Sequence, residues 1–248
     1  LHSTAIGAGR ILTRYFEKVH HIERKAGAGI VTEADKFAED FILKKILRKY
    51  PKSSIITEES GEFGGDSLCW YIDPLDGTSN YAHGFPWFCV SIGVYEEGEA
   101  RAGVIYHPIT EEMFYAEAGQ GAFLNRRRLR VSATAEIEDS LLGTGFFYTT
   151  GERLRADMEI FNRVQQKALG VRRPGSAALD LACVASGRYD GFWERGLKPW
   201  DTAAGFLLVR EAGGKVTGYR GQQTTPLDAE IVATNGVLHD SILNLIQG

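Results

Sequence analysis

Trp70-Tyr71-Ile72-Asp73-Pro74-Leu75-Asp76-Gly77-Thr78-Ser79-Asn80 is the stretch on which the reading of this chain turns. Trp70, Tyr71 and Ile72 are aromatic or β-branched and suit the end of a buried strand. Two aspartates three residues apart follow, with a proline between them and a glycine after. Pro74 cannot continue a central ladder and Gly77 admits a left-handed turn, so the strand is expected to end here in a turn. Carboxylates delivered together at a rigid strand end suit hard divalent cations. A plain polar turn uses the same residues. On this window the two readings stand level, and further converging carboxylates would separate them.

Working outward, such carboxylates recur at element ends. A short strand over 54–57 runs into Glu58-Glu59-Ser60-Gly61. Before it, Thr32-Glu33-Ala34-Asp35 opens a helix that keeps a 3.6-residue apolar period up to Tyr50-Pro51. Thr32 is placed as its N-cap, and Asp35 has the capping-box spacing, which by itself explains that residue. The first helix is expected over 4–19, with His20 and His21 at its polar end and Lys25 in the small-residue loop after it. After Asn80, strands over 88–94, 102–106, 113–116 and 122–124 form an antiparallel meander. His83 and His107 lie in its connections without the company a zinc site requires, and are read as structural.

A second half begins with a strand over 141–145 and a helix over 152–168. Gly175-Ser176 then opens a helix to about residue 186, where free N–H groups suit an oxygen-rich ligand and a serine cap is the simpler reading. A strand over 189–194 ends in Glu194. Pro199-Trp200-Asp201 opens an apolar helix up to Gly213-Gly214, with Asp201 at its first turn. A strand over 231–234 and a helix over 237–246 close the chain. The alternation predicts sheet layers sandwiched by helices.

The composition narrows the function. A 248-residue chain with 44% hydrophobic and 24% charged residues is that of an ordinary globular protein. A formal net charge of -4 weighs against a general nucleic-acid surface. The one basic cluster, Arg126-Arg127-Arg128 with Arg130, is read as a solvated hairpin tip. No run approaches the ~18 apolar residues of a membrane span. No secretory signal is read, and a start without Met inside a helical pattern leads us to expect residues upstream. Cys69, Cys89 and Cys183 have apolar surroundings and no metal-ligand spacing, which suits reduced thiols in a cytoplasmic protein. Gly-x-Gly-x-x-Gly, Gly-x-x-x-x-Gly-Lys and Gly-x-Ser-x-Gly fingerprints are absent.

Carboxylates alone would serve glycoside hydrolysis. Two of them three residues apart, however, sit too close to keep acid and base roles distinct without a cation between them. Oxygen-only donors (Glu58, Asp73, Asp76, Asp201) favour Mg²⁺ over zinc. Two or three such ions can activate a water and neutralise charge on a leaving phosphoryl group, with N–H groups at Gly77 and Thr78 holding the phosphate oxygens.

These residues carry a resemblance. The 70–80 stretch, Trp200-Asp201-Thr202-Ala203-Ala204-Gly205 with Glu211-Ala212-Gly213-Gly214, Ile56-Thr57-Glu58-Glu59-Ser60, Val31-Thr32-Glu33-Ala34-Asp35 and Gly175-Ser176-Ala177-Ala178 resemble the motifs of the inositol monophosphatase family. That family comprises Mg²⁺-dependent, lithium-sensitive phosphomonoesterases, and the likeness runs along essentially the whole chain, strongest toward the bacterial inositol-1-monophosphatases. It implies an α+β fold, a layered α-β-α-β-α sandwich of the inositol monophosphatase/fructose-1,6-bisphosphatase type. One domain over 1–248 is expected, with sub-lobes 1–135 and 136–248.

The resemblance also implies roles. Glu58, Asp73 and the Leu75 carbonyl would hold a first Mg²⁺. Asp73, Asp76 and Asp201 would hold a second, and Glu58 with waters a weaker third; Mn²⁺ would substitute. Thr78 would orient the nucleophilic water and Asp35, acting through it, would ease deprotonation. Gly77 and Thr78 would grip the phosphate, while Gly175, Ser176, Ala177 and Glu194 would face the inositol hydroxyls. Lys25 would belong to a loop near the third ion. A homodimer acting on a small phosphorylated polyol, with no membrane or nucleic-acid partner, is expected. Ser79 stands where many relatives have Thr. Fructose 1,6-bisphosphate, 3'-phosphonucleotides and other phosphomonoesters are the alternative substrates, and a regulatory, transcription-associated role is the alternative of another kind.

Overall fold

The computed structural model describes residues 1–18, 22–24, 30–146 and 151–248; His20, His21 and Lys25 lie outside them. In chain order the elements are α1 (His2–Tyr15), β1 (Ile22–Arg24), β2 (Ile30–Thr32), α2 (Glu33–Lys49), β3 (Ser54–Thr57), β4 (Gly61–Phe63), β5 (Leu68–Asp76) and α3 (Thr78–Ala82). The meander follows as β6 (Cys89–Glu96), β7 (Glu99–His107), β8 (Glu112–Glu117), β9 (Gly121–Leu124) and β10 (Arg127–Arg128). Then come β11 (Leu141–Thr144), α4 (Glu152–Gln165), β12 (Gly170–Arg172), α5 (Ala177–Ala185), β13 (Gly191–Arg195) and α6 (Pro199–Glu211). Finally β14 (Lys215–Thr217), β15 (Glu230–Thr234) and α7 (His239–Gln247) complete the described chain.

An eight-stranded sheet runs β10-β9-β8-β7-β6-β5-β3-β4, antiparallel except for β3 beside β5. A five-stranded mixed sheet runs β12-β11-β13-β15-β14. Strand alternation sorts residues to layers: Ile72, Ile92 and Val104 pack outward against Ala38 and Ile42 of α2 and Leu12 of α1. Ile105 and Phe114 face inward, with Phe192 and Ala233 of the second sheet, onto α5 and α6. Leu142, Trp193 and Val232 face the outer helices α4 and α7. The order is α-β-α-β-α, as the resemblance implied.

The middle layer is apolar on every side, as a helix buried all round must be. All nine residues of α5 are buried, as are Thr202 through Val209 of α6. Glycines let α6 lie close to the large sheet. A Cβ at Gly93 would stand 2.7 Å from the Ala203 Cβ, and one at Gly103 3.0 Å from the Ala204 Cα. The N-terminus of α6 is thereby brought onto the inner face of β5 and β6.

Several sequence expectations change. The first helix stops at Tyr15, before the predicted residue 19. The short strands β4, β12 and β14 carry too few alternating residues to stand out. The arginine cluster is exposed, with Arg127 and Arg128 on the edge strand β10. All three cysteines are free. Cys89 lies in the apolar core as expected, but its Sγ also lies 3.9 Å from Asp76 Oδ2 and 3.8 Å from Ser176 Oγ.

Candidate active site

The chain does not turn at Pro74. β5 continues to Asp76, with Asp73 opposite Ser91 and Asp76 opposite Cys89 on β6. Three steps on β5 match two on β6, so the strand carries one extra residue, a β-bulge. In a regular strand residues three apart face opposite sides. The extra residue restores the phase and brings both carboxylates to the inner face. Pro74 sits inside the bulge, where its missing N–H is tolerated. The reversal comes at Gly77, with φ 95°. A Cβ there would lie 2.8 Å from the Trp87 carbonyl oxygen, so the position suits glycine on two counts.

The other carboxylates arrive from neighbouring elements. β3 runs parallel to β5 with Thr57 beside Ile72, so Glu58 leaves the sheet next to Asp73, its N–H donating to the Ile72 carbonyl at 3.3 Å. Asp201 is the third residue of α6, and its Oδ2 accepts from Lys198 N at 2.7 Å. It therefore caps the helix and faces the site at once.

Each of the three aspartates is held by one oxygen. Asp73 Oδ1 accepts from Leu75 N at 2.9 Å. Asp76 Oδ2 accepts from Ser176 Oγ at 2.6 Å and Ala178 N at 2.8 Å. Burial pushes Asp73 well above the usual carboxylate range, and the charges of Glu58, Asp76 and Asp201 push it further. Asp201 rises too, through burial and then the Asp76 charge. Burial lifts Asp76 to about 6 despite the Ser176 and Ala178 hydrogen bonds. Among the described residues no three acidic, His or Cys side chains close into a cage around one point. The donor chemistry nonetheless fits hard cations: carboxylate oxygens that are buried or half-buried and mutually repelling, with no cationic side chain among the causes of their shifts.

Asp35 fulfils its capping role. Its Oδ2 accepts from Thr32 N at 2.9 Å and from Thr32 Oγ1 at 2.6 Å. Its other oxygen lies 3.3 Å from Thr78 Oγ1, which is also 2.9 Å from the Leu75 carbonyl. The single hydroxyl hydrogen serves one acceptor at a time, so Thr78 sits poised between a carboxylate and a carbonyl.

On the opposite side Gly175, at φ 90°, leads into α5. The Ser176 hydroxyl points at Asp76, and the Ala177 N–H also faces that carboxylate. Glu194 projects from β13 into space kept by Gly145, where a Cβ would collide with its carboxylate. Burial raises Glu194 to about 8, the Asp76 charge adding to the effect and Arg173 opposing it. In the cation-free protein at neutral pH it is mainly the neutral acid, able to donate as well as accept.

Four residues that the sequence reading passed over help build the site. Asn80 Nδ2 lies 2.8 Å from both the Trp87 and Pro174 carbonyls, tying the loop after Gly77 to the one before α5. Gly145 makes room for Glu194. Glu39, 2% exposed, accepts from Thr57 Oγ1 at 2.6 Å, from Glu59 N at 3.1 Å and from Ser60 Oγ, and so fixes the turn that carries Glu58. Asp180, 1% exposed, has one oxygen without a hydrogen-bond partner among the described residues, and burial and then Glu194 raise it well above the usual range. Both acids left a signal. Glu39 continues the spacing Asp35, Glu39, Ile42, Ile46 on a buried helix face, and Asp180 is the lone charge in an apolar run. Of the two histidines read as structural, His107 is buried edge-on against Trp87, and the exposed His83 has its Nδ1 2.8 Å from the Ser79 carbonyl.

Comparison with known proteins identifies the family. The family model described as "Inositol monophosphatase family" matches residues 1–248. An inositol-1-monophosphatase of Synechocystis sp. is 46% identical over 243 residues, spanning 96% of this chain and 84% of the relative. The Nus factor SuhB of Escherichia coli is 44% identical over 232 residues, spanning 92% of this chain and 87% of the relative. The crystal structure of the extragenic suppressor protein suhB from Bartonella henselae superposes with a TM-score of 0.95 at 42% identity, covering 99% of this chain and 96% of that one. The chain belongs to the inositol monophosphatase family of phosphomonoesterases.

Proposed function

We propose that this protein hydrolyses inositol monophosphate to inositol and phosphate with Mg²⁺ as cofactor and Mn²⁺ as a working substitute. The observation that carries the reading is the bulge at 73–76, which presents the buried Asp73 and the half-buried Asp76 to one side, beside Glu58, Asp201 and the Asp35–Thr78 pair. Glu58, Asp73 and the Leu75 carbonyl would hold one ion, Asp73, Asp76 and Asp201 a second, and Glu58 a weaker third. Bound there, Mg²⁺ supplies Lewis acidity for an attacking water and for the charge on the phosphoryl oxygens. The Thr78 hydroxyl orients the water, and Asp35 accepts proton density through it. N–H groups at Gly77 and Thr78 bind the phosphate oxygens, while Gly175, Ala177 and Glu194 bind the polyol hydroxyls and the Ser176 hydroxyl is committed to Asp76. In solution the protein acts as a homodimer, which light scattering tests.

Steady-state kinetics on inositol 1-phosphate and fructose 1,6-bisphosphate test the substrate. A higher kcat/KM for the monophosphate is expected, and a preference of about tenfold or more for the bisphosphate overturns it. The second reading draws on Arg173, a cation near Asp180 and Glu194 that would welcome a second anionic group. A role of another kind is suggested by the relatives named Nus factor. Asp76→Asn separates the two: it abolishes turnover, and a cellular effect that survives it belongs to a binding role.

A further inference from the structure

Ser176 stands where the family resemblance assigns a contact to the substrate's hydroxyls, yet its hydrogen bonds point elsewhere. The side chain belongs to a residue 1% exposed, and its Oγ donates to Asp76 Oδ2 at 2.6 Å. A serine hydroxyl has one hydrogen, so this contact uses its donor capacity. As a helix cap it is weak, since the Leu179 N–H reaches it only at 3.4 Å. The Cys89 sulfur, 3.8 Å away, closes another side. Asp76 shows the complementary pattern. Oδ2 receives Ser176 Oγ, Ala178 N at 2.8 Å and the weak Cys89 thiol at 3.9 Å, all on one oxygen. The Ala177 N–H also faces this carboxylate, but among the described residues every side-chain donor to Asp76 meets Oδ2, and Oδ1 is the oxygen left for a cation.

We infer that Ser176 is a positioning residue for the cation site: it locks one oxygen of Asp76 and thereby reserves the other, linking cation affinity to the seating of α5. The inference rests on the reading that Asp76 is a cation ligand. The link runs through the backbone as well, because the Ala178 N–H belongs to the same helix start and Asn80 ties the preceding Pro174 carbonyl to the loop after Gly77. Whatever seats residues 174–178 also orients Asp76, and by reciprocity an ion on Asp76 steadies the segment that meets the substrate.

Mn²⁺ binding to the full chain, followed by electron paramagnetic resonance or calorimetry without substrate, tests this. Ser176→Ala is expected to weaken the ion that uses Asp76 by about 10–100-fold, the usual effect of losing a partner behind a ligand, and to leave a tighter ion within about twofold. Ser176→Thr restores the affinity, and Ser176→Cys, close in size but a poor donor, behaves like the alanine variant even if that one folds poorly. In an Asp76→Asn background, Ser176→Ala has no further effect. At saturating Mn²⁺ the KM for inositol monophosphate is expected to move by less than about twofold, while the Mn²⁺ concentration for half-maximal rate rises with the measured dissociation constant. Unchanged Mn²⁺ affinity with a KM raised about tenfold makes Ser176 a substrate ligand and overturns the inference. Unchanged affinity with only a lowered Tm makes it a plain cap and overturns it too. A wild-type protein that binds no divalent cation removes the underlying functional reading first, and this inference with it.

Discussion

Glu39→Ala is the substitution whose consequences the structure defines most fully. Glu39 lies on α2, 2% exposed, and receives Thr57 Oγ1 at 2.6 Å and Glu59 N at 3.1 Å on Oε2, with Ser60 Oγ on Oε1. Thr57 itself is 0% exposed, so alanine leaves a buried hydroxyl and a part-buried N–H without their acceptor. Each orphaned group costs about 1–3 kcal/mol, and removing the buried carboxylate recovers part of that through its desolvation. The net loss is about 2–4 kcal/mol. Glu39→Gln keeps one carbonyl oxygen for the Thr57 and Glu59 donors, and Ser60 can rotate to accept from the new amide, so about 1–2 kcal/mol is expected. Because Thr57 and Glu59 flank Glu58, the alanine variant is also expected to loosen that proposed ligand. Urea unfolding in EDTA measures the first effect and Mn²⁺ titration the second. An alanine variant within about 0.5 kcal/mol of wild type, with unchanged Mn²⁺ affinity, would refute the claim that Glu39 holds this turn.

Three further outcomes are expected. Burial holds Asp76 at about 6 in the folded, cation-free protein against an ordinary value of 3.8. Between those values the fold binds more protons than the unfolded chain, so this group's contribution falls as pH rises. Asp76→Asn should therefore raise the cation-free Tm more at pH 8 than at pH 4.5, and an equal gain at both refutes the assignment. His239 behaves oppositely: burial first, then Lys215, lower it to about 4, and its nitrogens lie 3.0 Å from Thr217 Oγ1 and 2.9 Å from Thr234 Oγ1. Its contribution is present at neutral pH and lost as pH falls from ~6.5 toward the folded value. The urea midpoint of wild type should then approach that of His239→Gln on acidification, and a gap independent of pH counts against it. Gly93→Ala places a methyl 2.7 Å from the Ala203 Cβ, and should cost about 1–3 kcal/mol and weaken Mn²⁺ binding as α6 and Asp201 shift. Loss of stability with unchanged Mn²⁺ affinity would show that the α6 N-terminus does not depend on that packing.

Much of the architecture is legible in the residues because long elements repeat a period. The apolar spacing from Ala34 to Ile46 and the alternation through the meander each agree with one element type. The proposed cation ligands are legible for another reason: Glu58, Asp73, Asp76 and Asp201 are acids at the ends of apolar runs, where local propensity does not call for them. What stays hidden depends on contacts far apart in sequence. Nothing near Ser176 announces Asp76, 100 residues away. Nothing near Asn80 announces Pro174. Glu39 reads as an ordinary helix acid until its period is matched to the buried face. The strands β4, β12 and β14, three residues each, are shorter than any pattern that separates strand from loop.

The misreading at Pro74 is the most informative, because it concerns the stretch that decides the site. Proline is expected to end a strand, and a strand that ended there would place its two carboxylates on a turn whose geometry is free to vary. The bulge removes that freedom. It keeps Asp73 and Asp76 within a hydrogen-bonded strand, opposite Ser91 and Cys89, and puts both on the face where Ser91 Oγ meets the Trp200 carbonyl at 3.3 Å. Repulsion among these buried acids is a conflict that a flexible turn would relieve by swinging one of them into water. A central strand pinned between α2 and α6 cannot relieve it that way. The charge is therefore stored in the fold until protons or a cation neutralise it, which is what a cation site with carboxylate donors requires.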